Sequence, residues 1–108
     1  MKLLLADDHT LFRDALLQYI ERAEPQAEVV LAKNLHEVMD YMAKDLSLPD
    51  LILLDLKMPG MNGLEGLEKL RSEYPDAPVA LMSGVAEGSD VQRAMELGAR
   101  GFFPKTLS

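Results

Sequence analysis

The 108 residues contain no cysteine. That absence excludes a disulfide scaffold, a thiolate zinc site and a thiol nucleophile, and it fits a reducing compartment. Long apolar runs are missing as well. The opening run Leu3-Leu4-Leu5-Ala6 meets Asp7-Asp8 after four residues, short of the roughly 7–15 that a secretory signal needs. No run approaches the roughly 18 apolar residues of a membrane span. Positive charge is scarce: 11 Lys and Arg stand against 18 Asp and Glu, for a formal charge of −7. A domain of that sign does not grip a phosphate backbone or an anionic membrane by itself. The expectation is a soluble, cytoplasmic domain without a membrane partner, and one whose surplus acids invite a cation wherever they cluster.

What remains is ordinary globular material, 48% apolar and 27% charged, of a length that supports one core without staples. Short apolar runs alternate with helical periodicity. The runs are Leu3–Ala6, Val29–Ala32, Leu51–Leu54, Val79–Met82 and Gly101–Phe103. Between the first two, Leu11, Phe12, Ala15, Leu16, Tyr19, Ile20 and Ala23 mark one helical face. Asn34 followed by Glu37 reads as a capping-box variant opening a helix with Leu35, Val38, Met39 and Met42 inward. Leu64, Leu67 and Leu70 define a third helix that Pro75 ends. Ser89 can cap a fourth, carrying Val91, Ala94, Met95 and Leu97 and stopped by Gly98. Strict alternation of this kind predicts an α/β fold with a parallel sheet covered on both faces. Five strands and four helices leave the final helix of such a fold missing, since only Thr106, Leu107 and Ser108 follow the last run.

Polar residues punctuate the carboxyl ends of these runs: Asp7-Asp8 after the first, Asp55 after the third, Ser83 after the fourth, Pro104-Lys105 after the fifth. In an open parallel sheet those ends share one edge, where ligands bind. Three close carboxylates repel unless a cation sits among them. Hard oxygen donors without His or Cys in the set suit Mg²⁺, which keeps positions for phosphoryl oxygens. Lys105 and the Ser83 hydroxyl suit the remaining oxygens, so phosphoryl transfer to a carboxylate nucleophile fits. The competing structural roles are plain: Asp8 as a helix cap, Ser83 in a Ser-Gly turn, Lys105 as a solvated lysine, Phe102 and Phe103 as sheet core on opposite faces. His9 and His36 lack ligand spacing and read as surface residues. Asp55 has the weakest such alternative, because an unpaired acid at a buried strand end costs several kcal/mol.

With those residues in view, the sequence resembles a response-regulator receiver domain of two-component signalling. The resemblance is carried by Asp7-Asp8, Asp55-Leu56-Lys57-Met58-Pro59-Gly60-Met61-Asn62-Gly63, Ser83-Gly84 and Phe102-Phe103-Pro104-Lys105, and it runs from Lys2 to Ser108. The segment Ala6-Asp7-Asp8-His9-Thr10-Leu11-Phe12-Arg13 is similar to the LuxR/NarL-type subfamily, whose receivers precede a helix-turn-helix domain. The resemblance implies a flavodoxin-like sheet in order 2-1-3-4-5, with 1–108 as one receiver domain truncated after the fifth strand. It implies Asp55 as phosphoacceptor, and Mg²⁺ or Mn²⁺ held by Asp7, Asp8, Asp55 and the Lys57 carbonyl. Lys105 and Ser83 would bind the phosphoryl group and Phe102 would be the switch aromatic. Pro104 matches a position where the family favours a cis bond. Phe102 stands where Tyr is frequent and offers no hydroxyl, so its switch would work by packing.

The partner implied is a sensor histidine kinase. DNA would be reached only through a domain absent from this chain, and the domain would promote only its own phosphorylation and dephosphorylation. A stand-alone receiver acting by protein–protein contact is the nearer alternative. A Mg²⁺-dependent phosphohydrolase with an Asp nucleophile is disfavoured, because the haloacid-dehalogenase pattern wants an acid two residues on, where Lys57 stands. A flavin or dinucleotide binder lacks its glycine-rich loop after the first strand. The uncovered sheet face beside the first helix predicts a homodimer or a domain-swapped oligomer.

Overall fold

Five short strands and four helices alternate along the chain: β1 (Lys2–Ala6), α1 (Thr10–Ala23), β2 (Glu28–Ala32), α2 (Leu35–Lys44), β3 (Leu51–Asp55), α3 (Glu65–Glu73), β4 (Val79–Ser83), α4 (Gly88–Glu96) and β5 (Gly101–Pro104). They come from a computed structural model that describes residues 1–44, 47–84 and 88–105, with Gly88 and Ser89 described by main chain only. All strand pairs are parallel, in the order β2-β1-β3-β4-β5. The expected flavodoxin-like topology is therefore the observed one. Thr106, Leu107 and Ser108 lie outside the described residues, and no described helix is long and apolar enough to cross a membrane.

Register sorts the side chains onto two faces. Leu4 stands beside Val30 and Ile52, Ala6 beside Ala32 and Leu54, Ile52 beside Val79, and Leu54 beside Leu81, which pairs with Phe102. Alternation puts this set on one face, and its members join a single buried cluster with Leu35, Val38 and Met42 of α2, Leu67 and Leu70 of α3, and Ala94 of α4. The other face holds Leu3, Leu5, Leu51, Leu53, Ala80, Met82 and Phe103, with α1 across it. The first face is closed. On the second, α1 has no buried residue at all, Leu11 is 88% exposed and Tyr19 71%, and Phe103 at the sheet edge is 53% exposed.

The helix starts and stops follow local chemistry. At α2, Asn34 Oδ1 accepts the Glu37 N–H at 2.7 Å, while the Glu37 carboxylate accepts the Lys33 N–H at 2.9 Å. This is a reciprocal cap shifted by one residue from the usual box. Gly60 and Gly63 take φ of +90° and +68° in the turn after β3, where a side chain would strain the backbone. Two expectations need correction. Met95 is 48% exposed, because the helical period finds the inward arc but not how far its flank is covered. The fourth helix begins at Gly88, one residue before Ser89, so Ser89 sits inside its first turn.

Candidate functional site

The carboxyl edge of the sheet gathers most of the expected set. Asp7, just past β1, and Asp55, the last residue of β3, are both fully buried. Their places are fixed by the main chain: the Asp7 N–H donates to the Ala32 carbonyl at 2.9 Å, and Leu56 N–H to the Met82 carbonyl at 2.9 Å. Each acid then binds the loop that follows it. Asp7 Oδ1 accepts the His9 N–H at 2.7 Å and Asp55 Oδ1 accepts the Lys57 N–H at 3.2 Å, short-range turns typical of aspartate.

Lys105 completes the pocket from the far side of the sheet. Its N–H extends the β4–β5 ladder by donating to the Ser83 carbonyl at 2.8 Å. Its Nζ lies 2.8 Å from Asp7 Oδ2 and 3.3 Å from Asp55 Oδ2, and the side chain is only 9% exposed. The ammonium also sits 4.6 Å from the centre of the Phe12 ring, a cation–π distance. Two carboxylates, of Asp7 and Asp55, thus share one ammonium, and that of Asp8 lies beside them. Burial, and then the neighbouring Asp7 carboxylate, push the Asp55 carboxyl above its ordinary range, against the opposing pull of the Lys57 N–H and Lys105. Asp7 Oδ2 is buried and is met by the Lys105 ammonium at 2.8 Å, with the Asp55 carboxylate as a like-charged neighbour.

That donor set fits a divalent cation. One ligand atom from each of Asp7, Asp8, His9 and Asp55 can lie within 4.8 Å of all the others. An excess of hard oxygen charge over a single ammonium is what Mg²⁺ or Mn²⁺ coordination relieves. A cleft of about 580 Å³ opens over the pocket, lined by His9, Leu11, Phe12, Asp55, Lys57, Gly84 and Lys105.

The remaining expectations divide. Asp8 is not the cap of α1, since His9 holds that position without a side-chain cap bond. Ser83 is fully buried at the end of β4, one residue past the Met82 that stands opposite Asp55. Phe102 is half-buried and already packs against the closed-face core. The candidate cis-proline is corrected: no described peptide bond is cis, so Phe103–Pro104 is trans. Trans is the lower-energy isomer of X–Pro by about 0.5–1 kcal/mol, and in it Pro104 keeps register with Ser83 while Lys105 still reaches both acids.

Two site residues were not read from the sequence. His9 Nδ1 lies 2.8 Å from Lys105 Nζ and 3.6 Å from Asp55 Oδ2. Phe12 supplies the ring beneath the ammonium. His9 had a usable signal, because it directly follows an acid pair at the ligand edge. Phe12 had none beyond its place one turn further on.

Comparison with known proteins agrees with this geometry. Residues 3–108 match the response regulator receiver domain family, and the chain belongs to it. Over 105 residues it is 43% identical to the glycerol metabolism activator of Pseudomonas putida, covering 97% of this chain and 47% of that protein. It is 40% identical to the nitrate/nitrite response regulator NarL of Escherichia coli K12, covering 97% and 48%. The chain thus spans about half the length of these relatives. Among solved structures, the signal receiver domain of a DNA-binding response regulator from Colwellia psychrerythraea 34H superposes with a TM-score of 0.86 at 31% identity, covering 100% of this chain and 88% of that one. The NarL/LuxR-like character expected from the first segment is borne out. Phosphoryl acceptance is general for the family, sensor histidine kinases are its donors, and its acidic pocket binds Mg²⁺ or Mn²⁺.

Proposed function

We propose that Asp55 of this chain accepts a phosphoryl group from a partner sensor histidine kinase, with Mg²⁺ or Mn²⁺ held by Asp7, Asp8, Asp55 and the Lys57 carbonyl. The observation that carries this reading is the pair of fully buried carboxylates, Asp7 and Asp55, bridged by one nearly buried ammonium. The Lys57 N–H and Lys105 favour the ionised, nucleophilic form of Asp55 against its burial. A carboxylate oxygen forms the new bond to phosphorus while the P–N bond of the donor phosphohistidine breaks, and the departing imidazole takes up a proton. A bound divalent ion supplies the positive charge that offsets phosphoryl oxygens among three acids. Lys105 exchanges part of its contact with Asp55 for a phosphoryl oxygen. The Ser83 hydroxyl turns to a second oxygen, and Phe102 follows by packing against the core.

The domain is then a switch without turnover of its own. Its output is transcriptional, through a LuxR-type DNA-binding part of a longer cytoplasmic regulator, a reading supported by relatives twice its length. The exposed strip of Leu11, Ala15 and Tyr19 supports pairing of two copies over α1; mass that rises with concentration in light scattering is the expected sign. The decisive test is incubation with Mg²⁺ and a small acyl phosphate followed by intact mass. One phosphoryl adduct is expected on the wild type and none on Asp55→Asn. No adduct, or an undiminished one on the variant, overturns the proposal.

A further inference from the structure

We propose that His9 is a nitrogen ligand of the acidic pocket and sets its choice of metal, drawing in ions such as Ni²⁺ and Zn²⁺ where the carboxylates alone favour Mg²⁺ and Mn²⁺. The proposal rests on the metal-dependent reading above and adds to it a residue outside the ligand set that reading names.

His9 Nδ1 stands 3.4 Å from Asp7 Oδ1, 3.7 Å from Asp8 Oδ1 and 3.6 Å from Asp55 Oδ2. It is the point at which all three acids come within reach of one nitrogen. The lone pair faces inward: Nδ1 is 2.8 Å from Lys105 Nζ, and an ammonium offers only donors, so the ring nitrogen is the acceptor. A nitrogen that already receives a cationic donor is disposed to receive a cation.

The ring has no competing structural duty. His9 caps α1 through its main chain and makes no side-chain cap bond. Its side chain is 63% exposed, so core packing does not explain its position. What holds it is the 2.7 Å bond from its own N–H to Asp7 Oδ1 and the contact of its ring with Lys105, which pairs with the other oxygen of the same acid. An imidazole among carboxylates changes the affinity order. Oxygen donors suit Mg²⁺ and Mn²⁺, while imidazole strengthens binding of Ni²⁺ and Zn²⁺.

The test uses the full chain without an affinity tag. Calorimetric titration with Mg²⁺ and with Ni²⁺ is compared for wild type, His9→Gln and His36→Gln, and Mn²⁺-loaded samples are examined by pulsed electron paramagnetic resonance for nitrogen modulation. For His9→Gln, Ni²⁺ affinity is expected to fall about tenfold or more while Mg²⁺ affinity changes less than about twofold. Nitrogen modulation is expected in the wild type and in His36→Gln, and not in His9→Gln. Equal losses for both ions, or modulation that survives His9→Gln, overturn the proposal. Modulation in the wild type that disappears in His9→Gln upholds the ligand even if no Asp55 adduct forms. A wild type without modulation overturns it even if the adduct forms, so the two readings fail separately.

Discussion

Among the described residues, one face of the sheet is covered by three helices and the other by a single helix, and the same five strands serve both. Four inter-strand gaps of about 4.8 Å make the sheet about 19 Å wide, whereas one helix covers about 10 Å. On the closed face α2, α3 and α4 bury an unbroken set from Ala32 to Leu81. On the open face α1 leaves its own Leu11 and Tyr19, and the edge residue Phe103, largely in solvent. The buried acids sit at the carboxyl edge that both faces share. Asp55 shares the open-face parity of Leu51 and Leu53, while Ser83 shares that of Leu81 on the closed face. The residues proposed to change partners therefore divide between the faces, Ser83 and Phe102 on the closed side and Lys105, two residues past Phe103, at the open one.

The contrast predicts a graded series of effects. Leu81→Ala, at a wholly buried position between Leu54 and Phe102, should lower unfolding free energy by about 2–5 kcal/mol in a urea titration. A loss below about 1 kcal/mol would mean the closed face is looser than its burial. Gly66→Ala should cost about 1–3 kcal/mol, because an added Cβ would lie 2.9 Å from Met61 Cα, main chain that must move to make room.

The third effect is electrostatic and belongs to the open-face parity. Asp55 has a raised pKa in the folded chain, so its protonated form is the one folding favours. Its contribution to stability is complete below the ordinary value of 3.8 and is lost as pH rises through the raised one. In chelator-treated protein, Asp55→Asn should therefore gain stability relative to wild type between pH 4 and pH 7. The gain is about 1.4 kcal/mol for each unit of displacement, read from paired melting curves. A difference that stays flat across that range would contradict the cause assigned to the shift. Smallest of all, Leu11→Ser should move stability by no more than about 0.5 kcal/mol. That holds for dilute protein; the proposed pairing over α1 predicts a larger loss as protein concentration rises, and a loss that stays small at every concentration counts against it.

Much of this was legible before any coordinates. Continuous apolar runs such as Leu51–Leu54 identify strands covered on both sides, and the acids that end them mark the ligand edge, because backbone and burial dictate both locally. Asn34 capping α2 is equally local. His9 and Phe12 escaped because their role is a distance to Lys105, 96 residues from His9, and neither periodicity nor spacing measures that. Met95 and the outer residues of α1 misled for a related reason: an amphipathic pattern shows which side of a helix is apolar, not whether anything lies against it.

Lys105 has a consequence for timing. It reaches Asp55 across 50 residues and His9 across 96, from the strand farthest along the chain. Contacts between such distant residues are the slowest to close, since the intervening chain must first be ordered. Asp7 and Asp55 can meet once β1 and β3 pair, but they gain their ammonium only when β5 has docked on β4. A half-folded chain therefore holds two acids and no ammonium between them. On the proposed reading, the lysine ties chemical competence to the docking of β5, so that a phosphoryl group is accepted only once the sheet is in place.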